Sequence, residues 1–177
     1  MAAPTPSSSN ALGLPHERRA RWHATHREEA IDPELPIVDP HHHLWDRNGH
    51  TYLLPELLAE TDCGHRIEAS VYLECLSMYR EDGPEAMRPV GEVEFVNGVA
   101  AMSASGTYGP QRLCAGIIGR ADLSLGAAVR PVLEAQLAVS GGRLKGIRYA
   151  TAWDSDTRIH SAYPAHARML GDAPVRA

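Results

Sequence analysis

Ile37-Val38-Asp39-Pro40-His41-His42-His43-Leu44-Trp45-Asp46 is the stretch on which the reading of this chain turns. The apolar run from Leu35 to Val38 predicts a short strand, and Pro40, which has no amide hydrogen to donate, is expected to end its regular pairing. Successive side chains of an extended backbone alternate faces, so His41 and His43 point the same way and suit one metal ion. A catalytic zinc usually takes three protein ligands and a water, so this pair calls for further ligands from elsewhere in the fold. Three adjacent histidines can also be a solvated loop or the remnant of a tag. Tags sit at termini, whereas this run lies between a strand and the bulky pair Leu44-Trp45, which favours a metal or active-site role.

Outward from this stretch the chain has a βα rhythm. Residues 55–60 offer a short helical turn, and residues 67–74 alternate as a second strand. A helix is predicted over 84–104, where Val90, Val93, Val96 and Val99 recur every three residues. Residues 113–118 read as a third strand, 127–139 as a helix ended by Ser140-Gly141-Gly142, and 144–149 as a fourth strand. Residues 162–177 read as a loop and the start of another helix. Strands alternating with helices predict an α/β fold with a parallel sheet and right-handed crossovers, half of a TIM (β/α)8 barrel by count.

Three segments are expected: a disordered tail over 1–15, rich in Ala, Pro and Ser; a charged lead-in helix within 16–35, ending before Pro33; and a partial barrel domain over 36–177. With 177 residues, 44% hydrophobic and 22% charged, the chain supports one domain with a core. A complete barrel takes about 250 residues. A net charge of −5 offers no broad attraction for nucleic acid or an anionic membrane, and the arginines of the lead-in stand beside acids. A small-molecule substrate is the better expectation. No run approaches the ~18 apolar residues of a membrane span, and no secretory signal is visible, so a cytoplasmic protein is expected. Cys63, Cys75 and Cys114 are widely spaced and odd in number, which points to reduced thiols.

The stretch from Val38 to Asp46 resembles the first-strand motif of the amidohydrolase superfamily, in particular the lactonase-like branch of its amidohydrolase-related TIM-barrel hydrolases. The resemblance continues through Val71-Tyr72-Leu73-Glu74-Cys75, Met78-Tyr79-Arg80, Val90-Gly91-Glu92-Val93-Glu94-Phe95-Val96, Cys114-Ala115-Gly116-Ile117-Ile118-Gly119 and Lys145-Gly146-Ile147-Arg148, and so covers roughly residues 20 to 160. Members of that family are about twice as long. The resemblance implies a hydrolase in which a metal-bound or carboxylate-activated water attacks the carbonyl of a carboxylate-bearing lactone. It makes His41 and His43 the first two ligands of a divalent metal, zinc by preference, although some relatives work without one.

In such a barrel the functional groups gather at the C-terminal ends of the strands. Glu74 lies there on strand two, either as a pocket wall supporting an imidazole or in a strand-end ion pair. On strand four, alternation groups Leu144, Gly146 and Arg148 on one face and Lys145, Ile147 and Tyr149 on the other. Of Lys145 and Arg148, only Arg148 is near the C-terminal end. Its guanidinium suits a substrate carboxylate, a role the family resemblance also implies, with a structural salt bridge as the alternative. Lys145, tempting as a metal-bridging lysine, is wrongly placed. Tyr79 and Trp45 read as packing more than as pocket walls, and Asp122 as a helix N-cap. The catalytic base and the later ligands are expected from strands five to eight of a full barrel, so none is assigned here. Two alternatives stay open: a decarboxylase of aromatic acids, and an inactive fragment. A half-barrel with open edges is also expected to form homo-oligomers.

Overall fold

The computed structural model describes residues 21, 22, 25, 28–47, 49–156, 158, 159 and 165–176. The expected N-terminal tail lies outside these residues, as do residues 16–20, 23, 24, 26 and 27 of the lead-in segment. Residues 28–36 are bends, turns and irregular backbone.

Four parallel strands form one sheet: β1 (Ile37–His42), β4 (Ile67–Leu73), β5 (Arg112–Arg120) and β6 (Leu144–Arg148), lying side by side in chain order. A short antiparallel hairpin, β2 (Trp45–Arg47) and β3 (His50–Tyr52), follows β1. Three helices make the crossovers: α1 (Leu54–Thr61) after the hairpin, α2 (Val90–Ala104) between β4 and β5, and α3 (Arg130–Val139) between β5 and β6. A short α4 (Ala173–Arg176) packs on the 3-10 turn Leu123–Val129.

A parallel sheet that advances one strand at a time through right-handed crossovers carries its helices on one face. The burial agrees. Leu44, Leu54, Leu57, Tyr72, Val93, Val96, Val99, Leu113 and Ile117 form one core between the sheet and the helices. On the opposite face Ala69, Val71 and Leu73 are only half-buried, and Val38 is 58% exposed.

Local chemistry explains the helix limits. Pro55 and Pro131 occupy first turns, where a missing amide hydrogen costs nothing. The Glu56 carboxylate accepts from the Leu53 amide at 2.8 Å, closing the start of α1. Pro89 splits the single helix expected over 84–104 into a 3-10 turn, Glu85–Met87, and α2. After α3 the chain turns through Gly141 and Gly142 with φ of 58° and 80°, a left-handed exit that glycine adopts without steric penalty.

Pro40 ends regular pairing as expected, since the register is irregular between Asp39 and His42, although the strand itself runs on to His42. Two expectations need correction. The hairpin was not anticipated, although Asn48-Gly49 is a strong signal for a two-residue turn. Finally, the simple alternation on the fourth strand fails. A register shift opposite Ile117 and Ile118 puts Leu144 against the core, while Gly146 lies against Ile118, where a Cβ would meet Ile118 Cδ1 at 3.6 Å.

Candidate functional site

The carboxyl ends of β1, β4 and β6 meet at one edge of the sheet, and all four residues singled out in the sequence lie there. His42 turns its ring to the helix side, beside Tyr72 at 5.8 Å between centroids. Alternation therefore sends His41 and His43 to the other face. Their rings converge, with Nε2 to Nε2 at 3.2 Å and the planes nearly perpendicular at 86°.

His43 Nδ1 lies 2.8 Å from the carbonyl oxygen of Leu73, the last residue of β4. A carbonyl only accepts, so Nδ1 carries the hydrogen and the neutral ring presents a lone pair at Nε2. Burial holds the His43 pKa below its ordinary value, and the positive charge of Arg148 acts in the same direction. The Leu73 bond and the Glu74 charge oppose them. In this arrangement His41 Nε2 is the donor to His43 Nε2. Two nitrogens bound at 2.0–2.1 Å to one tetrahedral zinc would lie roughly 3.3 Å apart, so the spacing also fits two ligands of one ion, once His41 moves its proton to Nδ1.

Glu74 and Arg148 form the second pair. Glu74 is fully buried, and its Oε1 accepts from Arg148 Nε at 2.7 Å. Arg148 Nη2 donates to the main-chain oxygen of Glu74 as well. The guanidinium is thus held by both the side chain and the backbone of one residue, and the strand-end ion pair foreseen for Glu74 is present. The direct partner of the imidazole is the Leu73 carbonyl rather than the Glu74 carboxylate. Arg148 remains 31% exposed. Lys145 is exposed and donates to the Gly142 oxygen at 2.9 Å, at the start of β6 and away from this edge.

The loop after β4 is held by a residue that the sequence reading passed over. Glu92, buried in the first turn of α2, accepts on Oε1 from Tyr72 Oη at 2.7 Å, the Cys75 amide at 2.8 Å and the Ser77 amide at 3.0 Å. Its Oε2 is buried without a hydrogen-bond partner. Burial raises the Glu92 pKa, while the three donors pull it down and the Glu74 charge adds to the rise. From the hairpin side, Arg47 donates to the Cys75 oxygen at 2.9 Å and lies over the Trp45 ring, which stacks on Tyr52. Trp45 therefore packs, as expected.

Behind the histidine pair, Ser70 Oγ contacts His42 Nε2 at 2.9 Å and accepts from the Cys114 amide at 3.0 Å. Burial lowers the His42 pKa and pushes the Cys114 thiol up to about 12. This set ties β1, β4 and β5 together beneath the helices and is structural. Asp122 caps the 3-10 turn after β5, accepting from the Ser124 amide at 2.9 Å, as its sequence position suggested. The three cysteines are free thiols.

His42 was legible from alternation alone, since it faces away from its neighbours. Glu92 was not, because an acid among the valines of α2 carries no local sign of being buried. Among the described residues no group of three or more His, Cys, Asp or Glu side chains converges in a way that could hold a metal ion, and no helix is long and apolar enough to cross a membrane. Comparison with profiles of known protein families, with curated proteins and with solved structures found no match.

Proposed function

We propose that this chain carries part of the active site of a metal-dependent hydrolase that opens a carboxylate-bearing lactone, on a sheet that forms the first half of a (β/α)8 barrel. The observation that carries this reading is the 3.2 Å approach of His41 Nε2 to His43 Nε2, with the His43 tautomer set by the Leu73 carbonyl. That pair stands at the strand ends where a barrel gathers its chemistry, beside an arginine anchored by a buried acid.

His41 and His43 would hold the divalent ion, which supplies Lewis acidity toward a carbonyl and lowers the pKa of water. The Leu73 carbonyl orients the His43 ring and keeps its proton on Nδ1, away from the ion. Arg148, held in plane by Glu74, orients the substrate through its carboxylate. Glu74 prevents the guanidinium from swinging away when the site is empty. The remaining ligands and the base would be supplied by chain elements beyond the sheet described here.

Zinc titration followed by calorimetry tests the pair directly. Native protein should bind zinc, and H41N or H43N should weaken binding by more than the roughly 10–100-fold typical of losing an outer partner. Hydrolysis of coumalate (2-pyrone-5-carboxylate) tests the substrate class. Ring opening without release of CO2 supports a lactonase, whereas CO2 release would indicate a decarboxylase. Zinc affinity unchanged in both histidine variants would remove the metal from this reading.

A further inference from the structure

The segment that leaves β4 starts at the proposed site. Leu73 holds the His43 ring through its carbonyl, and Glu74 holds Arg148 through side chain and main chain. The residues that follow adopt an unusual backbone. Leu76 and Met78 have φ of 64° and 52°, the left-handed region that bulky side chains seldom enter. Both side chains are partly exposed, at 44% and 40%, so their own burial compensates for that conformation only in part.

What holds them is the structure beneath. Glu92 gathers the amides of Cys75 and Ser77, the residues flanking Leu76, onto one buried oxygen. Arg47 takes the Cys75 carbonyl. Gly91 lets α2 approach so closely that a Cβ there would meet the Met78 oxygen and the Arg80 nitrogen at 2.7 Å each. Strained backbone that persists because its surroundings over-determine it clusters at active sites and ligand clamps. Two partly exposed hydrocarbon side chains only two and four residues beyond Glu74, which holds Arg148, suit a hydrocarbon group on a ligand whose carboxylate Arg148 would take.

We infer that Glu92 is a positioning residue that fixes the loop after β4, and that Leu76 and Met78 form an apolar wall selecting lactones that carry hydrocarbon substituents on the ring. This inference rests on the lactone reading proposed above.

Two measurements test it. Hydrogen exchange at the Cys75 and Ser77 amides reads the positioning role. E92Q keeps the accepting oxygen and should preserve protection, whereas E92L should lose it by roughly tenfold or more, consistent with the loss of about one hydrogen bond per amide. Equal protection in native protein, E92Q and E92L would overturn the role of Glu92. For the wall, binding of coumalate and of its 4,6-dimethyl derivative is measured by calorimetry in native protein and in a double variant. Native protein should prefer the dimethyl compound by roughly tenfold, the scale of one or two methyl groups in an apolar pocket. In the double variant L76G/M78G this preference should collapse toward one, with no loss of thermal stability, because glycine accepts the left-handed backbone. A preference that survives in the double variant overturns the wall and leaves the site reading standing. Native binding of both compounds without preference does the same, and binding of neither overturns both.

Discussion

At His43 a single contact determines what the ring can do. Because its Nδ1 hydrogen goes to the Leu73 oxygen, Nε2 is left as an acceptor, and the sequence motif acquires a direction. Arg148 and Glu74 depend on one another in a different way. The acid is fully buried, so removing the guanidinium strands a carboxylate away from water, and such losses typically cost about 3–5 kcal/mol. R148M should therefore lower stability by about 3 kcal/mol, toward the lower end because Arg148 is partly exposed. Adding E74M should recover part of that loss, since it removes the stranded carboxylate, although the main-chain oxygen of residue 74 still lacks its Arg148 donor. Urea midpoints of the single and double variants check this, and equal instability of the two would show that the ion pair itself stabilises the fold.

At the scale of elements, α2 does two jobs at its opposite ends. Its first turn presses on the loop after β4, and its later turns supply valines to the core. Gly91 and Gly98 lie on the same helix but in different surroundings. At Gly91 a Cβ would meet loop backbone at 2.7 Å, whereas at Gly98 nothing lies within 4 Å. Alanine at either position gains about 1 kcal/mol of helix propensity, so the surroundings decide the sign. G91A should destabilise by about 1–3 kcal/mol through overpacking, and G98A should stabilise by up to about 1 kcal/mol. Thermal unfolding of both variants measures the contrast. The hairpin shows why loops escape sequence reading: β2 and β3 are three residues each, too short for a periodic signal, and the Trp45–Tyr52 stack that pins them is a pairing across the turn.

For the whole molecule, the buried acid should make stability depend on pH. The Glu92 pKa is raised from an ordinary value near 4.5, so over the window above 4.5 the folded state keeps a proton that the unfolded chain has released. Stability then falls as pH rises through that window, by at most about 1.4 kcal/mol per pH unit. His42 and His43, with pKa values lowered from 6.5, act in the opposite sense and cost stability as pH falls below 6.5. Comparing E92Q with native protein from pH 4.5 to 8 isolates the glutamate: the variant should gain stability relative to native as pH rises. A constant difference across the range would mean that Glu92 does not titrate there. The sheet also has one face only half-covered and an outer edge on each of β1 and β6 among the described residues. We expect it to associate with a second copy of itself through these surfaces. Light scattering should show a mass that rises with concentration, and a monomer at all concentrations would contradict this.

The amino-acid sequence by itself determined the βα order, the parallel sheet and the placing of His41, His43, Glu74 and Arg148 at strand ends, because strand and helix periodicities and the punctuation of Pro and Gly are local properties. Only the tertiary structure decided that the two imidazoles meet, that Glu74 pairs with Arg148 across 74 residues of chain, and that Glu92 binds the loop after β4. Those pairings depend on which strand ends lie side by side and on where irregular register shifts the alternation. Neither is written in the neighbourhood of any one residue.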